Sequence, residues 1–179
     1  MPRLFTGLDV PPDAAFALSL KRGGVPGARW IDPENYHITL RYIGDVDRRT
    51  AGEVREALDR FSSGGAFTLT VSRLAAFGGH KPRSIYAGLD PSPALGQLHL
   101  SQDRLLQRLG LEPDGRKFIP HVTLARLRDA DPVDVARYLG ENGHFQPLAF
   151  PVSRFVLFSS RESVGGGPYV VEQAYPLAA

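Results

Sequence analysis

Cysteine is missing altogether from the 179 residues. Its absence removes disulfide staples, thiolate nucleophiles and cysteine-bound zinc from consideration. Also missing is any run of about 18 apolar residues, the length a membrane-spanning helix needs. The opening Met1-Pro2-Arg3-Leu4-Phe5 lacks the charged-then-apolar pattern of a leader. Charge of one sign is scarcely in excess: the net is +2 and the pI about 9.1. So mild a basicity suits an anionic ligand without arguing strongly for one. The 15 prolines and 19 glycines are scattered, so no low-complexity tract divides the chain. A hydrophobic fraction of 42% is ordinary for a folded protein. The expectation is a soluble, cytoplasmic protein, independent of membranes. Its length fits one domain, or two closely packed lobes of roughly 80 to 90 residues.

What is present is a repeat. Leu4-Phe5-Thr6-Gly7-Leu8-Asp9 returns as Ile85-Tyr86-Ala87-Gly88-Leu89-Asp90. His37-Ile38-Thr39-Leu40 returns as His121-Val122-Thr123-Leu124, and Val71-Ser72-Arg73 returns as Val152-Ser153-Arg154. The three matches keep their order and nearly their offset, which implies two similar halves, about 3–77 and 84–158.

Each half reads alike. Apolar runs at 3–9 and 84–90 predict strands closed by Asp and Pro. Helices are expected over 12–22 and about 94–109, then strands over 36–42 and 119–127. Second helices follow over 50–61, with Thr50 and Glu53 fitting a capping box, and over 133–139. Strands over 67–77 and 150–158 end the halves. After the Gly165-Gly166-Gly167-Pro168 turn, a closing strand is expected at about 169–175. The expected fold is a single α+β, bilobal, duplicated domain spanning 1–179. In it, two antiparallel sheets face a central cleft with helices outside.

In a strand alternate side chains share a face, so His37 and Thr39 point one way while Ile38 and Leu40 point the other. The same holds for His121 and Thr123. Two such motifs brought to one cleft make a box of two imidazoles and two hydroxyls. An imidazole exchanges protons near neutral pH, and a threonine hydroxyl donates a hydrogen bond to a phosphate oxygen. In-line displacement at phosphorus needs a base on one side and an acid on the other. Arg126 falls out of phase with Thr123 in a regular strand, and reaches a phosphate only if the strand twists or bulges.

These paired His-x-Thr-Leu motifs resemble the two-histidine phosphoesterase superfamily. Arg3-Leu4-Phe5, Trp30, Gly44-Asp45, Pro82-Arg83-Ser84-Ile85-Tyr86-Ala87-Gly88 and Phe118-Ile119-Pro120 are similar to its RNA 2′,3′-cyclic phosphodiesterase branch, the LigT-like 2′-5′ RNA ligases. Tyr42-Ile43 and Tyr86 depart from that branch's commoner Phe-Leu and Trp. The resemblance implies hydrolysis of an RNA terminal 2′,3′-cyclic phosphate to a 2′-phosphate, without metal or cofactor. It also implies weak reverse 2′-5′ joining of tRNA halves. It casts His37 as general acid and His121 as general base, with Thr39, Thr123 and, secondarily, Arg126 on the phosphate. A monomer is expected.

Arg83, His80, Tyr42 and Phe77 are candidate RNA contacts, the last two by stacking. Arg41, Arg48, Arg49, Arg116, Lys117 and Arg128 flank the motifs as a candidate basic rim. His99, on a leucine-rich helix, and His144, in a turn, read as structural or exposed, and Trp30 as a packing residue. The alternatives are a related phosphodiesterase acting on ADP-ribose 1″,2″-cyclic phosphate and a non-catalytic RNA-binding module. A metal hydrolase would have only Asp32 and Glu34 near His37 to rely on.

Overall fold

The computed structural model describes residues 1–62, 64–160 and 167–178. Among them the chain forms β1 (Arg3–Asp9), α1 (Pro12–Ser19), β2 (Ala28–Trp30), a 3-10 turn (Pro33–Asn35), β3 (His37–Asp45), α2 (Arg48–Asp59) and β4 (Phe67–Phe77). The second half continues with β5 (Ser84–Leu89), α3 (Pro93–Arg108), β6 (His121–Leu127), α4 (Pro132–Asn142), β7 (Leu148–Val152), β8 (Arg154–Ser160) and β9 (Tyr169–Pro176). The α+β class and the antiparallel pairing agree with the expectation. Gly165 and Gly166 of the expected turn lie outside the described residues. No helix among the described residues is long and apolar enough to cross a membrane.

The strands run in the order β7-β4-β5-β6-β3-β1-β8-β9, with β2 on β6. The two expected sheets therefore join into one ladder, and they do so at a single pair, Ile38 with Val122. These are the middle residues of the two His-x-Thr motifs, both fully buried. Equivalent residues that face each other across an antiparallel crossing define a local two-fold axis, and here it passes between the motifs. On either side of the pair the strands part, which opens the cleft.

The repeats exchange their last strands. β4 of the first pairs with β5 of the second, and β8 of the second pairs with β1 of the first. The single strand expected over 150–158 is split for this reason. Leu148–Val152 serves β4 as an edge strand, where Pro151 can lack its donor, and after Ser153 the chain crosses to β1. The helix start expected at Thr50 also moves. Asp47 is the cap, its carboxylate accepting the Thr50 N–H at 2.7 Å. Helix α3 packs on β3 and α4 on β4, and one large core that includes Leu40, Leu98, Leu106 and Leu124 joins helices to sheet.

Candidate active site

His37 and His121 line one cleft of about 580 Å³, together with Thr39 and Thr123. Both imidazoles are oriented in the same way. The Nδ1–H of His37 donates to the Asn35 carbonyl at 3.0 Å, and that of His121 to the Ile119 carbonyl at 2.6 Å. Each acceptor is the backbone two residues upstream, so the repeat reproduces the anchor as well as the motif. With Nδ1 carrying the proton, the neutral ring holds its lone pair at Nε2. At His37 that atom accepts from the Thr39 hydroxyl at 3.1 Å.

Behind each ring stands a pair of stacked aromatics. Phe5 and Phe158 stack at 5.1 Å and contact His37 at 5.0 and 5.7 Å. Their repeat equivalents Tyr86 and Phe77 stack at 4.2 Å and contact His121 at 5.2 and 4.9 Å. The symmetry breaks at Tyr169 of β9, whose ring meets His37 edge-on at 4.7 Å. The protonation equilibria are lowered accordingly. Burial holds His37 down to about 4, the positive charges of His121 and Arg126 add to it, and the Asn35 carbonyl opposes it. His121 is lowered too, chiefly by burial and then by Arg126, against the Ile119 carbonyl.

A bulge brings Arg126 into the cleft. In β6, Thr123 pairs with Tyr86 and Ala125 with Ile85, leaving Leu124 as an extra residue. Leu124 and Ala125 are consecutively buried, the alternation slips by one, and Arg126 emerges on the side of Thr123. The first half has the same device at Leu40, where Thr39 pairs with Gly7 and Arg41 with Thr6. Its slip puts Tyr42 in the cleft and turns Arg41 inward. Arg41 is therefore no rim residue: it is 4% exposed and bound to Asp103 at 2.7 Å.

Of the other candidates, Arg83, Phe77, Arg116 and Lys117 line the cleft. His80 lies on an exposed turn away from the cleft lining, and Arg48, Arg49, Arg128 and His144 also lie elsewhere on the surface. Trp30 packs against Tyr138. Asn35, Phe5, Phe158 and Tyr169 escaped the sequence reading as site residues. Matching Phe5 to Tyr86 and Phe158 to Phe77 through the repeat was the signal for two of them.

The sequence model of the 2′-5′ RNA ligase superfamily matches residues 20–163. The chain belongs to this superfamily. An RNA 2′,3′-cyclic phosphodiesterase of Thermotoga maritima is 30% identical over 177 residues, covering 94% of this chain and 92% of its own. One from Aeropyrum pernix is 36% identical over 118 residues, 63% of this chain and 64% of its own. Escherichia coli LigT complexed with 3′-AMP shares the fold at a TM-score of 0.77 and 24% identity, over 100% of both chains. A Thermus thermophilus protein does so at 0.80 and 21%, over 98% of this chain and 97% of that one.

Proposed function

We propose that this protein hydrolyses the terminal 2′,3′-cyclic phosphate of RNA to a 2′-phosphate. The observation that carries the reading is the convergence of both His-x-Thr motifs on one cleft, each imidazole anchored at Nδ1 by the carbonyl two residues before it. The names of the superfamily relatives agree with it. The Thr39 and Thr123 hydroxyls and Arg126 bind the phosphate oxygens. His121 takes a proton from water as the water oxygen attacks phosphorus, the P–O3′ bond breaks, and His37 delivers a proton to O3′. With a 5′-hydroxyl RNA in place of water as the nucleophile, the same displacement breaks P–O3′ and joins tRNA halves through a 2′-5′ bond. Arg83, Tyr42 and Phe77 contact the RNA. The protein works in the cytoplasm as a single bilobal monomer, without metal.

Incubation with a nucleoside 2′,3′-cyclic phosphate tests this, with the 2′-monophosphate as the expected product. A 3′-monophosphate overturns the direction of opening. Turnover of ADP-ribose 1″,2″-cyclic phosphate alone overturns the RNA assignment. The deeper burial of His37, which favours its neutral form, supports a second reading with the two roles exchanged. A diester with a 4-nitrophenolate leaving group separates the two, since such a group departs without an acid. If His37 is the acid, His37→Ala loses far less on this substrate than on the cyclic nucleotide, and His121→Ala loses equally on both. The opposite pattern exchanges the roles.

A further inference from the structure

The residue after Thr39 is the extra residue of the β3 bulge, and its carbonyl is turned out of the ladder. A buried carbonyl needs a donor. In the second half the equivalent carbonyl, Leu124, is met by the backbone N–H of Ile31 at 2.8 Å. In the first half the donor at Leu40 is a side chain, the Nδ1–H of His99 on α3, also at 2.8 Å. One helical turn later Asp103 holds Arg41, the next residue of the same bulge. His99 is 8% exposed, and its ring lies flat on Phe118, centroids 3.9 Å apart and planes 2° apart. Phe118 walls the cleft and immediately precedes Ile119, whose carbonyl anchors His121. One imidazole thus touches the backbone beside Thr39 through its edge, and the segment that orients His121 through its face.

We infer that His99 is a positioning residue for both catalytic motifs: its N–H sets the first and its ring sets the second. This rests on the phosphodiesterase reading, but its two functions are separable by substitution. His99→Phe keeps a flat ring on Phe118 and removes the donor to Leu40. His99→Asn keeps a donor where Nδ1 stood and removes the ring. A residue that only fills the core predicts lower stability from either change and no selective effect on the site.

The full-length variants are titrated by imidazole NMR without substrate and assayed on a nucleoside 2′,3′-cyclic phosphate. His99→Phe is expected to move the titration of His37 and leave that of His121. His99→Asn is expected to do the reverse. Each should lower kcat by about tenfold or more, with KM within about twofold, as expected of a site slightly displaced before the chemical step. If both variants melt at lower temperature yet keep the wild-type kcat and both titrations, the inference is overturned, and His99 is a core residue only. If both histidines shift together in either variant, the division between edge and face is wrong. If one variant does not fold, the other still decides through the titration it is expected to move. Should His37→Ala and His121→Ala keep full activity, the phosphodiesterase reading itself fails, while the NMR arm still reports on His99.

Discussion

At the scale of single residues, the proposed chemistry divides between two imidazoles and two hydroxyls that line one cleft. Replacing His37 or His121 with Ala should cost about 10² to 10⁴ in kcat, the range of a positioned acid or base. The double variant should lose much less than the product of the two, because both act on one transition state. Thr39→Ala and Thr123→Ala should be milder, each losing one charge-assisted hydrogen bond of about 1.5 to 3 kcal/mol. Steady-state kinetics on a cyclic nucleotide checks all five variants, and near-full activity in His121→Ala would refute the acid–base pair. The lowered imidazoles also fix the direction of the pH response. His37 is about 4 in the folded protein against 6.5 for an ordinary histidine. Between those values the unfolded chain takes up a proton that the folded one refuses. Stability is therefore full above about pH 6.5 and falls as pH drops toward about 4. Melting curves across this window should show the fall, and a His37→Gln variant should flatten it.

Among the elements, the strand that most sharply distinguishes the two histidines is β9. The stacked pairs Phe5–Phe158 and Tyr86–Phe77 back the two rings alike, and Tyr169 is added to one side only. Tyr169→Ala should therefore raise the His37 titration toward 6.5 and leave His121 nearly unmoved, as read by NMR. Equal movement of both would assign the difference to something other than β9. β1 lies so close to the first motif that Gly7 has no room for a side chain: a Cβ there would sit 2.6 Å from the Ile38 carbonyl oxygen. Gly7→Ala should destabilise the protein by about 1 to 3 kcal/mol, because the backbone must shift to admit the methyl. Denaturant unfolding measures it, and an unchanged midpoint would mean that β1 moves freely against β3.

For the molecule as a whole, charge along the cleft is lopsided. Arg83, Arg116, Lys117 and Arg126 come from β6 and the chain segments beside it, whereas the β3 side contributes Arg3, which is paired with Asp45. A polyanion held by such a wall releases counterions, so its affinity falls steeply with salt. Arg116→Glu with Lys117→Glu should weaken an RNA oligonucleotide ending in a cyclic phosphate and reduce its salt slope by about 2. Turnover of a mononucleotide cyclic phosphate should change little. Equal loss on both substrates would place these residues at the reacting phosphate instead of along the strand.

The His-x-Thr pairs and the α+β alternation were legible in the chain because each is a local pattern with a period of two or of 3.6 residues, and the repeat because its three matches keep their order and nearly their offset. From these, His37, Thr39, His121 and Thr123 followed as one chemical set. Arg126 and Arg41 could not be resolved that way. Alternation sends Arg126 away from Thr123 and leaves Arg41 at the rim, but a bulged residue shifts the phase, and that shift depends on the pairing with β5 or β1. The exchange of last strands was equally hidden, since nothing local in residues 150–158 tells the chain to break at Ser153 and serve two distant partners. His99 read as structural for the same reason: its importance lies in a carbonyl 59 residues away. The sequence by itself determined which imidazoles and hydroxyls share the cleft, since their spacing within a strand fixes their common face. Only the tertiary structure decided how they are oriented, how deeply each is buried and which charges join them. Those properties arise from contacts between strands and helices remote in sequence, and they set the protonation of His37.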